Sequence, residues 1–494
     1  MEHNIRFRNH ISVVLEQLGA MSGLIFILFL TNVDDMISFL GDGTSEEVNM
    51  TALIGGGIIF GILVLTCIYQ LMIWAKTYIS ICDNSIVIER NTINKKKNTI
   101  GIKNISNVNT EQNLFELLMG TCKIKLDTNS LSTAEQTDVK IVLKKADAEQ
   151  FRSYLMKLMQ ESRGEKITEE EEKGQERWDY EAEFGDILAH GFLSINIFSV
   201  LVAVGTLVGV VGMVSMAIEK ISIGESIFGM LLSFLVAAMM CIAAIRDILK
   251  GFIRYYGFKI ARRGAKLYIR YGLFKKVNYT IPVEKINGFI LHQSLTARIV
   301  GRYMAEIINI GMGDDEAEAE AFLFPYCKKD TMCIRIKEFL PELAEAVEMD
   351  YHRQPIRTWI AWLWPIAMYV VCVGMGTMTA MSYFSEYEGW VAAGAGLFSV
   401  WCLVLLVLYY ITAGSALGES YIMSVNGFLR KRYCFVSYKK IQYIELKQNI
   451  FAKCMKIQKG EIYLLASAKN RVQNLPYFSE EDGEIIKEKI LKRW

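Results

Sequence analysis

Proline is nearly missing, with six in 494 residues, and charge of neither sign prevails, since 54 Lys and Arg face 53 Asp and Glu. So little proline beside 52% hydrophobic residues excludes an intrinsically disordered or collagen-like chain. The balance, formally +1, lacks the overall basic character of nucleic-acid binders, and no nucleic-acid partner is expected. Histidines are few: His3, His10, His190, His292 and His352, with no HExxH and no Cys/His cluster at zinc spacing. No GxxxxGKS/T, GxGxxG or GxSxG stands where a strand would run into a helix, so phosphate cradles and nucleophile elbows are missing too. No catalytic residue, metal or cofactor is therefore expected, and the chain reads as a non-enzyme. Ten cysteines occur without a CxxC pair, which suits reduced structural thiols.

What the sequence has in quantity is apolar length. Crossing about 30 Å of hydrocarbon takes about 20 helical residues, and six windows meet that: 11–30, 51–74, 187–218, 226–245, 358–384 and 390–412. They come as three hairpins. The N-terminus is basic but is followed by no small-residue cleavage pattern, so the first window is expected to stay as an anchor. The hairpin loops hold nine acids (Asp34, Asp35, Asp42, Glu46, Glu47, Glu219, Glu225, Glu386, Glu388) and one base, Lys220. Arg6, Arg8, Lys76, Arg246, Lys250, Arg254, Arg353 and Arg357 occupy the opposite flanks. By the positive-inside bias both termini are expected to be cytoplasmic. The expected localisation is the bacterial cytoplasmic membrane, multi-pass.

Each hairpin precedes a soluble stretch, and the three stretches repeat. IGIKNISNVNTEQNLFELLMG, IPVEKINGFILHQSLTARIVG and VSYKKIQYIELKQNIFAKCMK begin at Ile100, Ile281 and Val436. In each, an isoleucine stands seven residues before a glutamine: Ile105 and Gln112, Ile286 and Gln293, Ile441 and Gln448. Gly120 and Gly301 close the first two windows, and Pro282 opens the second. Strand-like alternation with turn signals precedes each window, as in FKIARRGAKLYIRYG from Phe258, and more alternation follows it. An amphipathic helix is expected to end each repeat, at about 147–159, 331–349 and 479–491, the last with Ser479 and Asp482 in capping-box spacing.

These windows resemble the signature of the bacterial pleckstrin-homology-like membrane proteins, and the similarity covers nearly the whole chain. The second repeat matches best. Gly101 replaces the proline in the first, while Ser437 replaces it in the third, which also departs from the apolar run. The resemblance implies an α+β membrane protein: six transmembrane helices in three hairpins, each followed by a cytoplasmic pleckstrin-homology-like (PH-like) β-barrel or sandwich with a C-terminal helix. The expected divisions are hairpins at 1–74, 187–250 and 351–412, domains at 75–160, 251–350 and 413–494, and an acidic linker at 161–186. The resemblance further implies a partner, a smaller PH-like membrane protein of the same family, and a role in envelope defence against membrane-active bacteriocins. A rival reading is lipid or peptide transport through a groove between hairpins.

The expected lipid contacts are three basic clusters in turn regions: Lys95, Lys96 and Lys97; Arg262, Arg263 and Lys266; Arg430, Lys431 and Arg432. Beside an anionic leaflet each such charge contributes about 1 kcal/mol, whereas on cytoplasmic loops the same residues merely solubilise and orient. His190, four residues after Asp186, is expected to make an interfacial His–Asp contact, with a proton-sensing pair as the sharper reading. Gly205 and Gly209, like Gly55, Gly56, Gly57 and Gly61, have the small-residue spacing of packed membrane helices. Arg246 and Asp247 are expected to snorkel at the end of the fourth window. Pro365, amid Trp359, Trp362 and Trp364, marks either a hinge or an aromatic belt. Two acidic runs, GEKITEEEEKGQERWDYEAE and DDEAEAEA, read as solvated segments.

Overall fold

A computed structural model describes residues 5–19, 50–82, 84–92, 94–128, 139–163, 177–219, 226–309, 321–466 and 470–492. Most of the first apolar window and most of both acidic runs lie outside them. The chain divides into two compact units, 1–133 with 137–173 and 274–279, and 134–136 with 174–273 and 280–494. Both are α+β with antiparallel sheets.

In the first unit, β1 (Ile5–Phe7) leads to helix α1 (Met50–Lys76), then β2 (Thr77–Cys82), β3 (Ser85–Asn91) and β4 (Lys95–Gly101) in one sheet. A second group follows: β5 (Ile105–Gln112), the short helix α2 (Leu114–Met119), β6 (Thr121–Thr128) and β7 (Val139–Lys144), then α3 (Lys145–Arg163). Alternation in YISIC, SIVIE and KIKL points every second side chain inward, and Ile79, Ile86, Ile124 and Leu126 meet Ile102, Ile105, Ile141 and Leu155 in one core. The segment 276–278, part of this unit, pairs antiparallel with β5: Lys276 opposite Gln112, Val277 opposite Glu111, Asn278 opposite Thr110.

The second unit runs through the same order twice. Its first pass is β8 (Tyr180–Glu181), α4 (Phe184–Ser194), α5 (Ile197–Glu219), α6 (Ser226–Arg254), β9 (Lys259–Arg263), β10 (Lys266–Tyr271), β11 (Lys276–Pro282), β12 (Ile286–Gln293), α7 (Leu295–Val300), β13 (Arg302–Asn309), β14 (Ala321–Lys328) and α8 (Lys329–Phe339). The second pass is β15 (His352–Arg353), α9 (Leu363–Tyr383), α10 (Glu388–Thr412), β16 (Gly414–Leu417), β17 (Tyr421–Asn426), β18 (Lys431–Ser437), β19 (Ile441–Lys447), α11 (Ile450–Cys454), β20 (Ile457–Leu464), β21 (Val472–Ser479) and α12 (Glu480–Leu491). The passes join edge to edge, β12 pairing with β18, and the Phe289 and Phe435 rings stack at 4.4 Å across the seam. Gly288 is required there, because a Cβ would meet the Phe435 carbonyl.

The repeated signature is one supersecondary unit. A 3₁₀ turn ends at the buried isoleucine, Ile105, Ile286 or Ile441, which opens a strand that ends at the glutamine in the first two repeats and one residue before it in the third. The glutamine amide then bridges the helical turn, donating to the carbonyl nine residues on: Gln112 to Thr121 at 2.8 Å, Gln293 to Arg302 at 3.2 Å, Gln448 to Ile457 at 3.1 Å. Asn113, Ser294 and Asn449 cap the helices that follow. Gly120 and Gly301 end them at φ 66° and 67°, and in the third repeat Lys456 takes that left-handed position at φ 55°. Ser479 caps α12, accepting the Asp482 N–H at 3.1 Å.

The expectation of six transmembrane helices in three hairpins is corrected. Among the described residues two helices are long and apolar enough to cross a membrane, Leu363–Tyr383 and Ser385–Thr412, or three if a pair bent by 69° within 184–209 counts as one. The other runs are broken, short or charged among the described residues. The third run breaks at Ile195 and Asn196, and α4 before the break buries Ile187, His190 and Gly191 against protein. The described apolar part of α1, Val64–Lys76, is shorter than a crossing, and the last turns of α6 carry Arg246, Asp247, Lys250 and Arg254. Pro365 falls in the first turn of α9, where its missing N–H is not needed. The nearby Trp359 and Trp362 pack on Tyr409 and Tyr410.

Candidate functional site

The second unit encloses a cavity of about 780 Å³ where four groups of elements meet. Close helix contact makes one wall. At Gly251 of α6 a Cβ would strike the Ser194 side chain, and at Gly191 of α4 one would strike the Phe252 ring, so two glycines let these helices touch. Ser294, ahead of α7, donates its hydroxyl to the Leu193 carbonyl and accepts the Ala297 N–H at 3.1 Å, tying the signature turn to the end of α4. The β17–β18 turn brings Phe428, Leu429 and Arg430 to the rim, and Trp401 and Leu405 enter from α10, one of the two membrane-length helices.

Charge in this cavity is lopsided. Lys250, Arg254, Arg430, Lys431 and Arg432 line it against two acids, Asp247 and Glu306. The acids are engaged: Asp247 accepts the Ser199 hydroxyl, and Glu306 holds His292 at 2.7 Å and the Asn470 amide at 3.2 Å. Arg432 donates to Asn470 at 2.9 Å and Lys431 to the Tyr351 hydroxyl at 3.4 Å. Among the described residues the Lys250 and Arg430 side chains make neither a hydrogen bond nor an ion pair. His190 also reaches the lining. Tyr255, Phe322 and Tyr326 cage its ring, Nδ1 accepts the Tyr326 N–H at 3.3 Å, and Nε2 has no partner among the described residues. The arrangement suits a multivalent anion held near a membrane surface, with cations on one wall and indole and leucine on the other.

The expected His190–Asp186 contact is not made. Asp186 instead accepts the Tyr180 hydroxyl at 2.9 Å and faces Arg335 at 3.9 Å. The three basic clusters meet different fates. Lys95, Lys96 and Lys97 lie in strand β4 and not in a turn, with Lys97 paired to Glu89 at 3.0 Å. In the second cluster Arg262 grips Glu342 through two hydrogen bonds of 2.6 and 3.0 Å, and Arg263 grips Asp179 at 2.6 and 2.7 Å. The Arg262 bond holds the Glu342 carboxyl below its usual range. These arginines close the fold, while Lys266 opens β10 after the Gly264 turn. Only the third cluster lines the cavity. Pattern reading missed His190 as a caged ring and Gly191 with Gly251 as the crossing point. Lys250 and Arg254, one helical turn apart, were visible only as flank charges.

The sequence profile of the bacterial PH domain matches three stretches, 25–159, 197–330 and 359–494, and the chain belongs to that family. It is a transmembrane protein carrying bacterial PH domains in three repeats. It is similar to the UPF0699 transmembrane protein YdbT of Bacillus subtilis (strain 168), with 23% identity over 443 residues, covering 85% of each chain. No solved structure matches it significantly.

Proposed function

We propose that the chain is a non-enzymatic membrane scaffold that holds an anionic lipid headgroup in the 780 Å³ cavity of its second unit. The observation that carries this is Lys250 and Arg430, cations without a carboxylate partner among the described residues, in a lining shared with Trp401 and Leu405 of a membrane-length helix. Both termini are cytoplasmic. Glu386 and Glu388 at the tip of the α9–α10 hairpin, against Arg353 and Arg357 at its base, support that orientation. The cavity then faces the inner leaflet, whose anionic surface favours each juxtamembrane cation by about 1 kcal/mol. Physiologically, the scaffold joins a smaller PH-like membrane protein and contributes to defence against membrane-active peptides. The similarity to YdbT supports the membrane setting of that reading.

The test is lipid analysis of the full chain purified in mild detergent, wild type beside a Lys250→Gln, Arg430→Gln double variant. Phosphatidylglycerol or cardiolipin retained by the wild type and lost from a folded double variant is the expected result. Equal retention by both overturns the assignment. For defence, a deletion strain with unchanged sensitivity to pore-forming peptides overturns the physiological part alone.

A further inference from the structure

The β12–β18 seam is a register rule that the described residues use twice and leave open once. In the second unit Gln293 stands opposite Lys431, His292 opposite Arg432 and Leu291 opposite Tyr433. In the first, Gln112 stands opposite Lys276, Glu111 opposite Val277 and Thr110 opposite Asn278. Both are the same alignment, because Lys276 and Lys431 each stand ten residues before a signature isoleucine and the glutamines seven after one. The third signature strand, β19, stops at Lys447, one residue before Gln448, and among the described residues it pairs with a strand on one side only, β20.

Side chains beside the seam follow the same logic. A pair of polar, ionisable side chains spans the strand and its neighbour at equivalent positions in all three repeats: Glu111–Lys125 at 2.6 Å, His292–Glu306 at 2.7 Å, Lys447–Glu461 at 2.8 Å. The side chains are 9% and 6% exposed in the first pair and 26% and 2% in the second, but 39% and 25% in the third. Tyr443 and Tyr463 stack beside it at 4.1 Å, and Tyr443 is half exposed. Among the described residues the third repeat thus has the elements of the seam without its cover.

We propose that the β19 edge receives the fourth strand of a PH-like domain carried by a separate chain, paired with Leu446, Lys447 and Gln448. This deepens the scaffold reading and rests on it. Continuity with the β12–β18 seam supplies the geometry, and charge selects the occupant. A second copy of this chain would present β4, placing Lys96 opposite Lys447 and Lys97 opposite Leu446, and like charges facing each other across a ladder repel. The lysine run Lys95–Lys97 also marks β4 as an edge protected against pairing. The fitting strand keeps a lysine opposite Gln448, carries a neutral or acidic residue opposite Lys447, and sets an apolar or aromatic residue opposite Leu446, as Tyr433 faces Leu291. It parts from β19 before Tyr443, which occupies the place of Gly288 and would bar a carbonyl there.

The experiment places the photo-crosslinking residue p-benzoylphenylalanine at Tyr443 of the full chain in its native membranes, with Leu491 labelled as a control. Crosslinked peptides are identified by mass spectrometry. An adduct at position 443, absent from position 491, that maps to the fourth strand of a PH-like domain on a different polypeptide is the expected result. An adduct to this chain's own β4 overturns the choice of partner, and no protein adduct overturns the docking. If a PH-like chain co-purifies while position 443 stays unlabelled, the edge inference falls and the scaffold reading stands. If none co-purifies, both fall.

Discussion

At the residue scale the most local features were the most legible. Ile105 and Gln112, with their counterparts, could be read from spacing because one short turn contains all their partners: the isoleucine closes a 3₁₀ turn and the glutamine bridges nine residues. The departure of the third repeat from the pattern also has a local meaning, since Lys456 holds a left-handed conformation that glycine holds in the other two. Lys456→Gly is expected to stabilise the chain by about 1 kcal/mol, measured as a higher thermal midpoint in detergent; a lower midpoint contradicts this. The thiols give a second check. Burial pushes Cys122 and Cys327 up to about 11 and Cys434 up to about 12, while Cys454 is exposed. Maleimide at neutral pH is expected to modify Cys454 and to spare these three until denaturant is added.

Partnerships distant in sequence were not legible. Arg262 and Arg263 look like surface charges, yet their acids, Glu342 and Asp179, lie 80 and 84 residues away. Because the pair holds the Glu342 carboxyl below its ordinary value, its contribution is present above the unfolded carboxylate range and fades as pH falls through the depressed pKa. Glu342→Gln is therefore expected to cost under about 1 kcal/mol near neutrality, since the group is part-exposed, and nothing in strong acid, by unfolding midpoints across pH. A cost that grows on acidification contradicts this.

At the scale of elements, hydropathy identified apolar runs correctly but not what they face. The run from Ile187 scores as lipid-facing because protein and hydrocarbon ask for the same residues, and only the break at Ile195 and Asn196 with the burial of α4 tells them apart. Small-residue spacing does not by itself locate the helix crossing among the described residues. At Gly205 and Gly209 a Cβ would meet no described atom within 4 Å, whereas Gly191 and Gly251, outside any GxxxG pair, mark the real crossing. Gly251→Leu is expected to cost about 1–3 kcal/mol by overpacking that crossing, visible as faster limited proteolysis, while Gly209→Ala leaves the digestion pattern unchanged. Equal sensitivity of the two variants would contradict the assigned crossing.

At the scale of the whole molecule, near-neutral charge conceals local asymmetry. The cavity of the second unit gathers five bases against two acids, both engaged, beside a helix that suits a membrane. Three basic clusters were visible in the sequence, but carboxylates brought in by the fold take Arg262 and Arg263, Lys95, Lys96 and Lys97 lie exposed on β4, and Arg430, Lys431 and Arg432 reach the cavity. The most direct measurement is a cryo-electron microscopy map of the full chain in nanodiscs containing phosphatidylglycerol. Headgroup density within hydrogen-bonding distance of Lys250 and Arg430, lost in the double glutamine variant, is the predicted result. A cavity holding only water in a well-ordered map would contradict it.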